Sequence, residues 1–422
     1  MTDIVDELRW RGLIALSTDE DALRKAFANG PVTVYCGFDP TAPSLHLGNL
    51  VQVLTVKRLQ LAGNRPLGLV GGATGLIGDP KPTSERTLND PQVVAGWVER
   101  LRGQIERFLD FDGPNAAQMV NNLDWTSGMS AIQLLRDVGK YFRVNKMIAK
   151  EAVARRLNSD AGISYTEFSY QVLQGMDYLE LYRRYGCTLQ TGGSDQWGNL
   201  TAGVDLIHKA EGKSVHALAT PLIVKADGTK FGKTETGTVW LDPELTSPYA
   251  FYQFWLNADD RDIPTFLRFF SFRSREEIEE LERLTQEQPA ARAAQRALAE
   301  ELTTMLHGAE QLERAVAASK ALFGQGELAD LDAPTLAAAV AELPTAKVSE
   351  LGGVVDLLVA TGLSASRSAA RRTVKEGGAY LNNAKVSDEE ATATAADLLH
   401  GRWLLLRRGK RNLAAVEVTP AD

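Results

Sequence analysis

The sequence has few cysteines and no long apolar segment. Only Cys36 and Cys187 are present among 422 residues, and neither has a Cys or His neighbour at zinc-ligand spacing. A disulfide framework and a metal site are therefore not expected, and a reducing cytoplasm is the expected compartment. No apolar run approaches the ~18–20 residues of a membrane-spanning helix, and the acidic start of the chain is unlike a secretory signal. We expect no membrane partner.

The common nucleotide-binding fingerprints are also missing. The segment from Gly324 to Ala329 fits only a loosened dinucleotide motif and follows no predicted strand. Gly232-Lys233-Thr234 resembles the end of a P-loop, but the glycine required five positions earlier is Asp227. The sequence thus disfavours a Walker-type NTPase and a dinucleotide-dependent enzyme.

The composition is that of an ordinary globular protein with two or three domains. Apolar types make up 44% of the residues, charged types 24%, and the net charge is −8. Short β-branched or apolar runs at 32–35, 66–70, 117–121 and 187–191 alternate with helical periodicity at 47–61, 130–138, 165–185 and 199–211. This alternation predicts an α/β fold, with a Rossmann-like, doubly wound parallel sheet in a catalytic domain over residues 1–220.

The remainder of the chain divides into four predicted segments. Residues 221–246 hold a Gly-rich loop and its connection, and 247–323 read as an α-helical domain. Residues 324–350 are Ala-rich with Gly, Asp and two prolines, which predicts a linker or a loosely packed helix. Residues 351–422 carry ten Lys and Arg against eight Asp and Glu, so this segment is +2 while the rest of the chain is −10.

Two short elements could bind a triphosphate. Leu45-His46-Leu47-Gly48-Asn49 is placed where a loop enters a predicted helix, whose free amides and partial positive charge suit an anion. Lys230-Phe-Gly-Lys233-Thr234 is a Gly-rich loop that could close over a pyrophosphate. Each element alone is more often a loop histidine with a packing glycine, or a solvated basic turn.

Together, and in this order, the two elements resemble the paired signatures of class I aminoacyl-tRNA synthetases. Further segments are similar to bacterial tyrosyl-tRNA synthetases along nearly the whole chain: Tyr35-Cys-Gly-Phe-Asp39-Pro-Thr41, Gly75-Leu-Ile-Gly-Asp79-Pro, the helix from Tyr170 to Asp177, and Gly192-Gly-Ser-Asp195-Gln196-Trp-Gly-Asn. The resemblance implies ATP-dependent formation of tyrosyl-adenylate, followed by transfer of the tyrosyl group to tRNA(Tyr).

One predicted helix carries a polar face that suits an amino-acid site. Tyr170, Gln174 and Asp177 share a face by their i, i+4, i+7 spacing, although a solvent-facing stripe is an equal alternative. If the face points into a pocket, Asp177 can accept a hydrogen bond from a phenol, and Tyr35 can make a second one. The resemblance implies a tyrosine site in which Asp79, Tyr170 and Gln174 hold the α-ammonium group and Gln196 lies near the carboxylate.

The resemblance also implies residues for ATP and for catalysis. The ATP site would comprise Cys36, Gly37, Asp39, Thr41, His46, Gly48, Gly193, Asp195, Lys230 and Lys233, and the catalytic groups would be His46, Asn49, Lys230, Lys233, Thr234 and Arg86. Lys81 follows Asp79-Pro80 in a loop shorter than is usual in the family, so Arg86 and not Lys81 is counted among the catalytic groups. ATP is expected as a substrate with Mg²⁺, without a dedicated protein cage for the metal.

The C-terminal segment has two basic clusters. Arg367, Arg371, Arg372 and Lys375 form one face of a helix with Ser364 as a candidate N-cap, ahead of a glycine stop and a hairpin with an Asn-Asn turn. Arg407, Arg408, Lys410 and Arg411 form the second cluster. A solvated charged surface is the common alternative, but a basic face on an acidic chain, similar to the small α+β S4 fold, predicts RNA binding without a DNA role.

Three other interpretations remain open at this stage. A tryptophan-specific relative would share the nucleotide signatures, although Tyr35 with Asp177 suits a phenol better than an indole. An RNA-binding protein with the same fold and no remaining chemistry is disfavoured by intact His46, Lys230 and Lys233, and a generic nucleotide-binding module would not need the basic tail. The family resemblance further implies a homodimer.

Overall fold

The computed structural model describes residues 3–81, 84–160, 162–234 and 237–419, with the backbone alone at Thr234. Two compact units emerge from the contacts between residues. The first comprises Met1–Leu245 with Asp259–Ala294, and the second comprises Thr246–Ala258 with Gln295–Asp422. Residues of the predicted helical domain, 247–323, thus occur in both units, and the predicted domain bounds remain a prediction.

Helices and strands alternate through the first unit and recur in the second. In chain order the helices are α1 (Ile4–Trp10), α2 (Glu20–Ala28), α3 (Leu47–Leu61), α4 (Pro91–Glu106), α5 (Leu123–Thr126), α6 (Ala131–Gln133), α7 (Val144–Ile148), α8 (Glu151–Leu157), α9 (Tyr165–Tyr185), α10 (Trp197–Glu211), α11 (Pro248–Leu256), α12 (Ile263–Phe270), α13 (Arg275–Glu287), α14 (Ala293–His307), α15 (Ala309–Leu322), α16 (Ala333–Ala341), α17 (Val354–Ala360) and α18 (Arg367–Lys375). The strands are β1 (Leu16–Ser17), β2 (Thr33–Phe38), β3 (Arg65–Val70), β4 (Gln118–Asn121), β5 (Cys187–Gly193), β6 (His216–Thr220), β7 (Lys233–Thr234), β8 (Gly237–Thr238), β9 (Thr345–Val348), β10 (Ala379–Leu381), β11 (Ala384–Lys385), β12 (Trp403–Arg408) and β13 (Asn412–Val418).

The first unit is built on a six-stranded sheet in the order β1-β6-β5-β2-β3-β4. All neighbouring pairs are parallel except β1 with β6. From β2 the chain builds outward through β3 and β4 on one side, and then returns to place β5 and β6 on the other. The crevice outside the carboxyl ends of β2 and β5 is therefore the topological switch point, where open α/β sheets bind ligands. The predicted α/β class with a parallel sheet is confirmed.

Local sequence signals account for the two helices that border this crevice. His46 caps α3 together with Asn49, whose Oδ1 accepts from the His46 amide at 3.1 Å. Ser164 caps α9 through Glu167 N, and Gly186 ends it in the left-handed conformation. Both helices have the bounds that periodicity predicts. The helix predicted at 130–138 instead breaks into α6 and a π-helical turn, Leu134–Val138.

The second unit combines helices with a five-stranded sheet in the order β11-β10-β12-β13-β9. The predicted hairpin is present, because Asn382 and Asn383 both adopt positive φ between β10 and β11. Residues 324–350, predicted as a linker or loose helix, form α16 with a buried face and then β9, which pairs in parallel with β13. That pairing joins segments about 70 residues apart, which local patterns do not reveal.

The described parts of the chain contain no helix that is both long and apolar enough to cross a membrane.

Candidate active site

A cavity of about 660 Å³ opens at the switch point of the first unit. Its lining comes from the ends of β2, β3 and β5, from one face of α9, from the start of α3 and from the loop before β7. Tyr170, Gln174 and Asp177 all line it, so the polar face of α9 points into the cavity and does not face solvent. Parallel strands and one helix thus gather groups that are far apart in sequence.

One end of the cavity holds a buried tyrosine and a buried carboxylate. Tyr35 on β2 is 1% exposed and packs against Tyr178 with tilted rings, 5.2 Å between centroids. Among the residues that the structure describes, its hydroxyl has no hydrogen-bond partner. Asp177 accepts from Asn122 Nδ2 at 2.9 Å and from Trp125 Nε1 at 2.8 Å. An unpaired hydroxyl beside a fixed carboxylate is suited to a ligand hydroxyl that can donate and accept.

Burial controls the charge at this end. It raises the pKa of Asp177 to about 7, while the hydrogen bonds from Asn122 and Trp125 oppose the rise. Burial also raises the pKa of Tyr35 well above its ordinary value, so its phenol stays protonated at neutral pH. Asp177 therefore exchanges a proton in the physiological range, whereas Tyr35 remains a neutral donor.

A second carboxylate lies beside amides. Asp79 accepts from Asn199 Nδ2 at 3.0 Å and from Gln196 Nε2 at 3.1 Å. Gln174 contributes a buried carbonyl oxygen that has no partner within the described part of the chain. A carboxylate with a neighbouring free carbonyl oxygen provides acceptors for a primary ammonium group.

Asp39 and Tyr170 form a coupled pair in the cavity wall. The Tyr170 hydroxyl donates to Asp39 Oδ2 and the Thr74 hydroxyl donates to Oδ1, both at 2.7 Å. Burial raises the pKa of Asp39, and the two donated hydrogen bonds oppose that rise. The Tyr170 oxygen keeps its lone pairs for a further donor, because its proton is directed at Asp39.

The start of α3 presents a neutral histidine to the cavity. His46 Nδ1 accepts from the Gly48 amide at 3.0 Å, which leaves the proton on Nε2. Burial lowers the pKa of His46, and the charge of Lys233 lowers it further. A Cβ on residue 48 would lie 2.8 Å from His46 Cε1, so this capping geometry needs glycine. His46 is thus a neutral donor at a helix N-terminus.

The segment that follows β8 pairs with the start of α3, and the loop before β7 packs on α12. Backbone bonds join Leu47 N to Val239 O and Leu241 N to Leu45 O, and Phe231 packs on Phe266 and Phe270 at 5.1 and 5.4 Å between centroids. Lys230 lines the cavity. Lys233 on β7 is exposed and lies outside the lining, and the Thr234 side chain lies outside the described residues.

A buried ion pair contacts the chain on both sides of positions 82–83, between Asp79 and Arg86. Arg156 and Glu167 are each 1% exposed and approach to 3.0 Å. Arg156 donates to the carbonyls of Lys81 and Ser84, and Glu167 Oε1 accepts from the Arg86 amide at 2.7 Å. Arg86 Nε in turn donates to Asp79 O at 2.8 Å, and its side chain reaches the cavity. Lys81 is exposed and lies outside the lining.

Most of the predicted site residues line this one cavity. They are Tyr35, Cys36, Gly37, Asp39, Thr41, His46, Gly48, Asn49, Asp79, Arg86, Tyr170, Gln174, Asp177, Gly193, Asp195, Gln196 and Lys230. Burial raises the pKa of the Cys36 thiol to about 12, so it is a neutral wall group without thiolate character. Sequence reasoning missed Asn122, Trp125 and Asn199, whose polar side chains have no local spacing that connects them to the carboxylates they contact.

The second unit carries the two basic clusters on neighbouring elements. Arg367, Arg371, Arg372 and Lys375 lie on α18, and Arg407, Arg408, Lys410 and Arg411 lie at the β12–β13 turn. The Gly409 amide donates to Gly378 O at 2.8 Å, which joins the turn to the end of α18. The N-cap is Ser366, whose hydroxyl accepts from Ala369 N, and not the predicted Ser364, which is buried.

Comparison with known proteins covers both units. Residues 27–324 match the model of the tRNA synthetases class I (W and Y), and residues 335–416 match the tyrosine–tRNA ligase SYY-like C-terminal domain. Tyrosine–tRNA ligases of Streptomyces avermitilis and Streptomyces coelicolor are 78% and 75% identical, over 99% and 100% of this chain and all of theirs. A C-terminally truncated mitochondrial tyrosyl-tRNA synthetase from Aspergillus nidulans matches with a TM-score of 0.70 at 27% identity, over 76% of this chain and 95% of that one.

The switch-point cavity, the capped His46 element and these matches define a class I aminoacyl-tRNA synthetase. The chain belongs to the tyrosine–tRNA ligase family within that class.

Proposed function

We propose that the cavity binds L-tyrosine and ATP side by side and joins them to tyrosyl-adenylate, after which the tyrosyl group passes to the 3′-terminal adenosine of tRNA(Tyr). One observation carries the amino-acid specificity: the Tyr35 hydroxyl is buried without a partner among the described residues, beside the Asp177 carboxylate. A phenol hydroxyl donates to Asp177 and accepts from Tyr35. Phenylalanine leaves the Tyr35 hydroxyl unpaired and gives Asp177 no donor beyond Asn122 and Trp125. The unpaired hydroxyl costs free energy in a dry site.

The remaining groups at this end hold the amino-acid backbone. Asp79, with the oxygens of Tyr170 and Gln174, receives the α-ammonium group, and Gln196 donates to the α-carboxylate. The bonds from Gln196 and Asn199 to Asp79 support this arrangement, because they fix the carboxylate before the substrate arrives. Asp195 binds the ribose of ATP, and Cys36, Gly37, Asp39, Thr41, Gly48 and Gly193 form the wall around the nucleotide.

The chemical step needs no covalent nucleophile from the protein. A tyrosine carboxylate oxygen attacks the α-phosphorus of ATP, a new P–O bond forms, and the bond to pyrophosphate breaks. His46, Asn49, Arg86, Lys230, Lys233 and Thr234 stabilise the charge that accumulates on the leaving pyrophosphate. The neutral, Nε2-protonated state of His46 supports its role as a hydrogen-bond donor. MgATP is the substrate form.

Two surface features support tRNA and a second copy of the chain as partners. The two basic clusters of the second unit bind the phosphates of tRNA. The chain forms a homodimer through the first unit, where Ile132 on α6, Val144 on α7 and Tyr165 on α9 expose apolar side chains. The cytoplasm is its compartment.

Variants of the basic loop test the transition-state role. Lys233→Ala is expected to slow tyrosyl-adenylate formation about 100-fold, as loss of one charge-stabilising donor does, while the tyrosine Kd stays within about twofold. Single-turnover quench flow gives the rate, and equilibrium dialysis gives the Kd. Lys213→Ala, which removes an exposed lysine outside the cavity, is the matched control. Equal losses of rate and tyrosine affinity in Lys233→Ala would contradict the role.

A further inference from the structure

Lys150 contacts the amino-acid end of the site from behind. It lies between α7 and α8, and its stem passes over the start of α10, where a Cβ on Gly198 would lie 2.8 Å from Lys150 Cε. Its ammonium group donates to Asn199 Oδ1. Asn199 is 3% exposed, and neither residue lines the cavity in which tyrosine is proposed to bind. Glycine at 198 is therefore what admits the lysine to the back of the site.

The donor and the acceptor of each hydrogen bond are fixed in the cluster of Lys150, Asn199 and Gln196. A lysine ammonium group only donates, so Asn199 Oδ1 accepts and Asn199 Nδ2 points away from Lys150. Nδ2 then donates to Asp79 Oδ1 at 3.0 Å and to Gln196 Oε1 at 2.8 Å. Because Gln196 Oε1 is engaged, Gln196 Nε2 faces Asp79 Oδ2 at 3.1 Å and Asp195 Oδ2 at 3.4 Å. The Lys150 ammonium group, which can only donate, thus fixes the orientation of the Asn199 amide. Through Asn199 it also fixes the orientation of the Gln196 amide.

The rear contact matters most when substrate is present. In the free site Asp79 helps to orient both amides, because a carboxylate only accepts. A substrate ammonium group that binds Asp79 competes for the same oxygens and weakens that constraint. Lys150 is unaffected by this competition, so it continues to hold Asn199, and Gln196 keeps its donor side available for the substrate carboxylate.

We propose that Lys150 is a positioning residue for the amino acid: through Asn199 it holds Asp79 and Gln196 in the orientation that binds the ammonium and carboxylate groups of tyrosine. The inference rests on the proposed function of the cavity. Lys150 acts through other side chains and does not touch the substrate.

The environment of Lys150 makes its positioning role depend on pH. Burial lowers its pKa to about 8, and the charge of Asp79 opposes that shift. The other charged or titratable groups that face it line a separate cavity of about 470 Å³: Tyr141, Arg143, Lys146 and Asp205. Asp205 is paired with Lys209 at 2.6 Å. Lys150 is therefore charged below about pH 8 and loses its proton above that value.

The test compares Lys150→Met with Lys146→Met in tyrosine-dependent ATP–pyrophosphate exchange. Lys146 lines the same rear cavity and is exposed, so its variant controls for the loss of a positive charge there. Lys150→Met is expected to raise the KM for tyrosine about tenfold, the cost of one misoriented charge-assisted hydrogen bond, with kcat within about threefold and the KM for ATP unchanged. Lys146→Met is expected to match the wild-type enzyme.

The pH profile separates positioning from general destabilisation. The wild-type advantage in kcat/KM for tyrosine over Lys150→Met should be full below pH 7 and should vanish above pH 9. Titration of tyrosine itself affects both proteins alike, so their ratio isolates Lys150. A ratio that is constant with pH, or a Lys150→Met enzyme indistinguishable from Lys146→Met, would overturn the inference but leave the proposed function intact. A wild-type enzyme with no tyrosine-dependent exchange would overturn both.

Asn199→Asp provides a second variant that retains the shape of the side chain. Its carboxylate can still accept from Lys150, but it cannot donate to Asp79 or Gln196. The KM for tyrosine is expected to rise at least as much as in Lys150→Met. Circular dichroism checks that the variant, which gains a buried charge beside Asp79, is folded. An unchanged KM in this folded variant would contradict the relay through Asn199.

Discussion

At the scale of single residues, the two carboxylates at the tyrosine end differ in their surroundings. Asp177 is buried and accepts from a neutral amide and an indole, and burial raises its pKa to about 7. Asp79 accepts from two amides that a lysine holds from the rear. Asp177 is placed to bind a neutral phenol, and Asp79 is placed to bind a cation. Tyrosine carries these two groups at its opposite ends.

The pKa of Asp177 predicts how tyrosine affinity depends on pH. Charged Asp177 accepts a hydrogen bond from the phenol hydroxyl, whereas protonated Asp177 must first lose its own proton. Affinity is therefore highest above pH 7 and falls as pH decreases. Between pH 7.5 and 5.5 the Kd for tyrosine should rise about 25-fold. Isothermal titration calorimetry in the absence of ATP measures it. Asp177→Asn should bind weakly without this dependence, and a flat wild-type profile would contradict the assignment.

The Tyr35 hydroxyl predicts a defined loss of selectivity. Tyr35→Phe removes a buried donor from the phenol site and leaves the shape of the cavity unchanged. We expect kcat/KM for tyrosine to fall about tenfold, the value of one neutral hydrogen bond, and kcat/KM for phenylalanine to rise, because the hydroxyl that phenylalanine leaves unpaired is gone. Competitive exchange assays with both amino acids measure the ratio. A parallel fall for both substrates would indicate a structural defect and not the removal of one hydrogen bond to the phenol.

At the scale of elements, the Arg156–Glu167 pair joins α8 and α9 to Lys81, Ser84 and Arg86. Removing one partner leaves a buried charge unpaired. Arg156→Met is expected to lower the free energy of unfolding by about 3–5 kcal/mol. Replacing both partners with Met should cost less than Arg156→Met alone, because no buried charge remains. Urea unfolding of Arg156→Met, of Glu167→Met and of the double variant gives the interaction free energy of the pair by a double-mutant cycle. A strictly additive result would show that the pair does not interact.

Elements with strong local signals could be predicted, and pairings between distant residues could not. The bounds of α3 and α9 follow from periodicity and caps, and the polar face of α9 supplies three cavity residues. The rear contact of Lys150 and the buried Arg156 depend on how α7 and α8 pack, and sequence spacing does not encode that. The same holds for β9, since its partner β13 is distant in sequence.

At the scale of the whole molecule, charge is unevenly distributed along the chain. The first 350 residues are net −10, and the last 72 are net +2, with eight of their ten basic residues in the two clusters. Several bases on α18 are already paired in the free protein, Lys375 with Glu389 at 3.0 Å and Arg371 with Glu390 at 3.5 Å. An RNA phosphate must therefore replace carboxylate partners there, while Lys410 and Arg411 are exposed at the turn.

This distribution predicts a specific effect of the turn on tRNA binding. Lys410→Ala with Arg411→Ala should weaken tRNA(Tyr) binding and lower the slope of log K against log salt by about two, one for each phosphate that is no longer neutralised. Tyrosine-dependent exchange without tRNA should be unchanged. Filter binding over a range of salt concentrations gives the slope. An unchanged slope would show that these residues do not contact phosphate.

Amino-acid-dependent ATP–pyrophosphate exchange, with tyrosine, tryptophan and phenylalanine assayed side by side, tests the central claim most directly. The account predicts exchange with tyrosine and rates near background with the other two, because only a phenol satisfies both Tyr35 and Asp177. Exchange with tryptophan at a rate comparable to tyrosine would contradict the assignment of the phenol site. No exchange with any of the three, in a folded protein that binds tRNA, would contradict the proposed chemistry as a whole.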